Sequence, residues 1–104
     1  MKYTYDNNYV KAVYVECMRK YRELIKNTVP CEKQLVYSQA VMIKTSDYVL
    51  LRSCGDLIAA YNIYTSHMFE FLQFVPGYTP ADVQSIAIFL VLTDPDELFL
   101  FYPE

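Results

Sequence analysis

Apolar residues recur at spacings of three and four through Val10, Val13, Tyr14, Cys17, Tyr21, Leu24 and Ile25, which places them on one face of a helix. Lys11, Glu16, Arg19, Lys20, Glu23 and Lys26 fall mainly on the other face. Glu16–Lys20 and Arg19–Glu23 stand four apart as opposite charges. Asp6 can cap the start and Pro30 sets the stop, so the pattern predicts a helix over about 7–27.

The middle of the chain reads as strands. Leu35–Tyr37 and Val41–Ile43 are β-rich and are followed by a Thr45-Ser46-Asp47 turn. Tyr48–Arg52, Leu57–Tyr64 and His67–Phe74 are separated by short turns at Cys54-Gly55-Asp56 and Thr65-Ser66. Such short connections predict an antiparallel meander of about four strands. Further on, Thr79 can cap a helix with Pro80 at its first position and Asp82 in its first turn. The run Ser85–Leu92 is apolar on every side and fits either a buried helix or a strand. We read helix over about 80–90 and a short strand over 98–102. The expected fold class is α+β, in one domain spanning 1–104.

Charge changes this picture more than composition does. The net charge is −3, yet residues 1–52 carry all nine basic residues against five acids (+4), and residues 53–104 carry seven acids and no base (−7). An apolar fraction of 54% excludes a disordered chain. The longest apolar run, Ile86–Leu92, is far short of a membrane span, and the first six residues lack the apolar core of a secretory signal. Three cysteines at 17, 31 and 54 form neither a disulfide framework nor a metal-ligand spacing. The expectation is a cytoplasmic protein of the host cell, with reduced thiols, no metal and no cofactor.

The segments Tyr48-Val-Leu-Leu-Arg-Ser-Cys-Gly-Asp-Leu-Ile-Ala-Ala-Tyr-Asn62 and Pro76-Gly-Tyr-Thr-Pro-Ala-Asp-Val-Gln-Ser-Ile-Ala-Ile-Phe-Leu90 resemble small uncharacterised bacteriophage proteins with a strand–turn–strand followed by a Thr-capped helix. Cys54 stands where an aromatic is usual in them, and 83–85 lacks their His. The resemblance covers about a third of the chain. It implies a phage or mobile-element origin, an α+β fold and an inhibitor of anti-CRISPR type, without implying a reaction.

Chemistry-bearing residues are few. The sole histidine, His67, and Cys54 could act as base and nucleophile in a small cysteine-dependent enzyme, but no motif surrounds either residue. Two isolated glycines make no phosphate-binding loop. The cluster Arg19, Lys20, Arg22 and Lys26 is interleaved with Glu16 and Glu23, so direct nucleic-acid binding is not expected.

Binding to a protein is the stronger expectation. A half-chain of uncompensated acids steers basic partners. The aromatics Tyr61, Tyr64, Phe69, Phe71, Phe74, Tyr78 and Phe89 belong to types that concentrate binding energy. With both helices on one face of the sheet, the other face would expose Tyr and Phe, and a homodimer would bury it. The reading is a non-enzymatic protein that binds and inhibits a host protein with a basic groove, such as a CRISPR effector nuclease. Its candidate contacts are Tyr61, Tyr64, Glu70, Asp94, Asp96 and Glu97. A structural homodimer without inhibitory role is a further alternative.

Overall fold

The computed structural model describes residues 1–102. In chain order the elements are β1 (Lys2–Tyr5), α1 (Asn7–Asn27), β2 (Glu32–Gln34), β3 (Val41–Lys44), β4 (Tyr48–Ser53), β5 (Asp56–Asn62) and β6 (His67–Glu70). A 3₁₀ turn (Leu72–Phe74), α2 (Pro80–Thr93) and β7 (Glu97–Leu100) follow. The α+β class is as expected, but among the described residues the sheet has seven strands, more than the four expected, in the order β1-β7-β6-β5-β4-β3-β2.

The meander β2 through β6 is antiparallel, whereas β7 runs parallel to both β6 and β1. Parallel neighbours need a crossover, and α2 supplies it between β6 and β7. The first helix leaves one edge of the sheet after β1 and delivers the chain to β2 at the opposite edge.

The two helices therefore lie on opposite faces, which corrects the expectation that they share one. On the α1 face, Val10, Val13 and Cys17 pack with Ile43, Leu50, Leu57, Phe69, Phe71 and Phe99. On the other face, Ile86 and Phe89 of α2 pack with Leu51, Ile58, Ala59, Met68 and Leu98. The β5 run Leu57–Ala60 is buried on both sides, as a strand covered by two layers must be. Tyr and Phe consequently fill the core: Phe69 stacks on Phe99 at 5.0 Å, and Tyr14 on Phe74 at 4.6 Å.

Helix α1 keeps its expected bounds because Asp6 Oδ1 accepts from the Tyr9 N–H at 3.1 Å. Helix α2 runs to Thr93, three residues past expectation, and ends where Asp94 adopts a left-handed conformation (φ 46°). The stretch expected as a strand at 35–37 leads into a turn with Tyr37 at φ 58°, and Leu72–Phe74 forms the 3₁₀ turn instead of extending β6.

Candidate functional site

Helix α2 begins with Thr79, whose backbone N–H donates to Asp82 Oδ2 at 2.9 Å, and the other Asp82 oxygen accepts from Ser53 Oγ at 2.6 Å. These donors, Ser53 foremost, hold the Asp82 carboxyl below the usual carboxylate range. Ser85, one turn on, donates to the Ala81 carbonyl and shares a 2.6 Å hydrogen bond with Ser38. Hydroxyl contacts thus pin the first turns of α2 to the β2–β3 loop and the end of β4.

Beyond Asp82 the helix carries no charge at all. Its inner face buries Ile86 and Phe89, while Val83, Ala87, Val91 and Leu92 face solvent, Val91 at 80% exposure. Val83, Ala87 and Val91 follow one another at intervals of four, a continuous stripe along the outside of the helix. A helix apolar on all sides is ordinarily buried on all sides. The carboxylates Asp82 at one end and Asp94 and Asp96 at the other bracket this stripe.

The expected contact residues divide into three places. Tyr64, 77% exposed, lies in the β5–β6 turn, and the Asp96 N–H donates to the Ser66 carbonyl in that same turn at 2.8 Å. This bond gathers Tyr64, Asp94 and Asp96 at one end of the molecule. Tyr61 lies on β5, half-buried against the α2-side core. Glu70 is at the opposite end of β6, where burial raises its carboxyl pKa. Glu97 belongs to another constellation. It accepts from Thr4 Oγ1 at 2.7 Å and lies 3.9 Å from Lys2 Nζ and 3.6 Å from His67 Nε2. Its charge is engaged, so the acidic array is smaller than the Asp94–Glu97 segment suggests.

Among the described ion pairs of Lys and Arg, one bridges the basic and acidic halves of the chain, and the others join partners within the first half. Lys2 approaches Glu97 across strands β1 and β7, Lys20 pairs with Asp47 at 3.0 Å, and Arg52 pairs with Glu32 at 2.6 Å. The exposed Arg19 is bonded to Glu23 at 2.9 Å. Helix α1 thus presents a solvated charged surface on which Arg19 and Lys20, two of its five cations, have carboxylate partners.

Cys54 and His67 do not meet. They flank β5 at its two ends, roughly 20 Å of extended chain apart, so no proton can pass between them. His67 Nδ1 is buried without a hydrogen-bond partner, and its ring lies 5.1 Å from Phe99. Cys17 is buried, which pushes its thiol pKa up to about 12 and leaves it a core residue. Among the described residues no group of three His, Cys, Asp or Glu could hold a metal ion.

A cleft of about 770 Å³, lined by Tyr37, Ser38, Ser53, Cys54, Thr79 and Asp82 among others, joins residues too far apart along the chain for any local pattern to mark it. No Lys, Arg or His lines it, and its one carboxylate already accepts from Ser53 and Thr79. Cys54 therefore has no base beside it. In comparisons with known proteins the chain matches no family model, no curated protein and no solved structure.

Proposed function

We propose that this is a non-enzymatic binding protein whose contact surface is the outer face of α2. The partner is a protein offering an apolar groove rimmed by basic residues. The observation that carries this reading is a helix uncharged beyond Asp82, with Val83, Ala87, Val91 and Leu92 in solvent, bracketed by Asp82, Asp94 and Asp96. Helix-in-groove recognition uses anchors at such spacings. The flanking carboxylates steer a basic rim into register. Tyr64 adds an exposed aromatic beside Asp94 and Asp96.

Inhibition of a nucleic-acid-handling enzyme, such as a CRISPR effector nuclease, is the form of this function we favour, because a basic groove is the natural complement of those acids. Capture from a bacterial lysate tests it. A partner held by the wild type should be lost with Val83→Glu/Val91→Glu and weakened with Asp94→Ala/Asp96→Ala. Its affinity should fall as salt rises. Retention by the Val83→Glu/Val91→Glu variant would defeat the proposal.

A further inference from the structure

Among the described residues strand β1 is an edge of the sheet, hydrogen-bonded on one side only. The Lys2 N–H donates to the Asp96 carbonyl at 3.1 Å. Backbone groups alternate in direction along a strand, so Lys2 and Thr4 turn theirs toward β7, while Tyr3 and Tyr5 turn theirs outward. The edge therefore offers two N–H and two C=O groups to a neighbouring strand. Tyr3 and Tyr5 are each 60% exposed.

The segment Lys2-Tyr3-Thr4-Tyr5-Asp6 is complementary to itself when reversed. Laid antiparallel on a second copy with Thr4 opposite Thr4, it sets Tyr3 against Tyr5 and Lys2 against Asp6, each twice. Tyr3 and Tyr5 carry the outward backbone groups, so both Tyr3–Tyr5 positions become hydrogen-bonded pairs. Thr4 falls at the closer, non-hydrogen-bonded position, with Cα atoms about 4.5 Å apart. Aromatic pairs, Thr–Thr pairs and opposite charges are the cross-strand combinations that stabilise antiparallel sheets. Sliding the register to Tyr3 on Tyr3 sets Lys2 against Thr4, and sliding it to Tyr5 on Tyr5 sets Asp6 against Thr4. Only the Thr4-centred register pairs the charges.

The opposite edge behaves differently. Strand β2 is Glu-Lys-Gln, wholly exposed, with Glu32 engaged by Arg52, and pairing it on itself about Lys33 would oppose two lysines. Such charged edges resist pairing.

We propose that two copies of this chain join through β1 in that register, about a two-fold axis perpendicular to the sheet at Thr4. The two sheets continue into one of fourteen strands, and both α2 faces lie on the same side of it. This inference does not depend on what α2 binds.

A cysteine scan in a Cys31→Ser/Cys54→Ser background reads the register. Under mild oxidation Thr4→Cys should form a disulfide-linked dimer faster than either Tyr3→Cys or Tyr5→Cys, since its partner lies within disulfide reach. Sedimentation of the wild type should show a concentration-dependent dimer. Lys2→Asp should raise the dissociation constant about tenfold, since it turns two opposite-charge pairs into like-charge pairs. Mixing Lys2→Asp with Asp6→Lys should restore a one-to-one dimer. A wild type that stays monomeric at all concentrations overturns the proposal. So does cross-linking at Tyr3→Cys or Tyr5→Cys as fast as at Thr4→Cys.

Discussion

Helices α1 and α2 do the same work on the inside and opposite work on the outside. Each buries an apolar face against one side of a shared sheet: Val10, Val13 and Cys17 for α1, Ile86 and Phe89 for α2. Outward, α1 presents Lys11, Arg19, Arg22, Glu23 and Lys26, with Val15 and Ile25 set singly among them. In α2 the outward positions are Val83, Gln84, Ala87, Val91 and Leu92. Isolated apolar residues among charges are normal on a surface, whereas the uncharged stripe is the feature on which the proposed contact rests. The fold needs only the inner faces. The outer face of α2 is thus free to serve binding.

The largest effect comes from within. Phe89→Ala should cost about 3–5 kcal/mol by denaturant unfolding, the range for emptying a fully packed aromatic site. A smaller loss would mean that α2 is loosely seated, and the contrast between its two sides would blur. Next in size are the caps. Asp6→Ala removes the acceptor for the Tyr9 N–H and should cost about 1 kcal/mol, read as a lowered denaturant midpoint.

Acid titration separates two carboxyls on the α2 side. Asp82, with its pKa depressed by Ser53 and Thr79, contributes stability that is present above its unfolded pKa and lost as pH falls through its lower folded value. Glu70, with its pKa raised by burial, does the reverse: its protonated form is favoured in the fold, so it lowers stability as pH rises past its ordinary value. Glu70→Gln should therefore raise the melting temperature at neutral pH, with a gain that shrinks in acid. Asp82→Asn should lower it at neutral pH. The smallest stability effects belong to the outer faces: Val91→Glu on α2 and Arg22→Glu on α1 should each shift unfolding by no more than about 0.5 kcal/mol. On stability the two surfaces are then equal, and only binding tells them apart.

The legible parts of the fold were those with local causes. The cap at Asp6 and the unbroken face from Val10 to Leu24 determine α1 to the residue. Thr79, Pro80 and Asp82 likewise mark where α2 starts. Strand β1 escaped because its partner β7 lies some 95 residues away, and four residues before a helix carry no pattern of their own. The parallel β6–α2–β7 crossover escaped for the same reason, and with it the placement of the helices on opposite faces. Strand β2 is polar because it is an edge, so its composition hid it. At the site, the end-of-molecule cluster of Tyr64, Asp94 and Asp96 came together, but the engagement of Glu97 depended on β1 and was invisible. The uniform apolarity of 85–92 is the available signal for the α2 face, but apolarity alone points equally to burial.

Cross-linking from the two outer faces separates a contact surface from a solvated one. A photo-reactive residue placed at Val91 on α2 and, separately, at Val15 on α1 reports what each surface touches in bacterial cells. Both positions are open, at 80% and 60% exposure. A discrete adduct with one partner protein is expected from position 91 and none from position 15. Adducts of equal yield from both, or from position 15 alone, would contradict it.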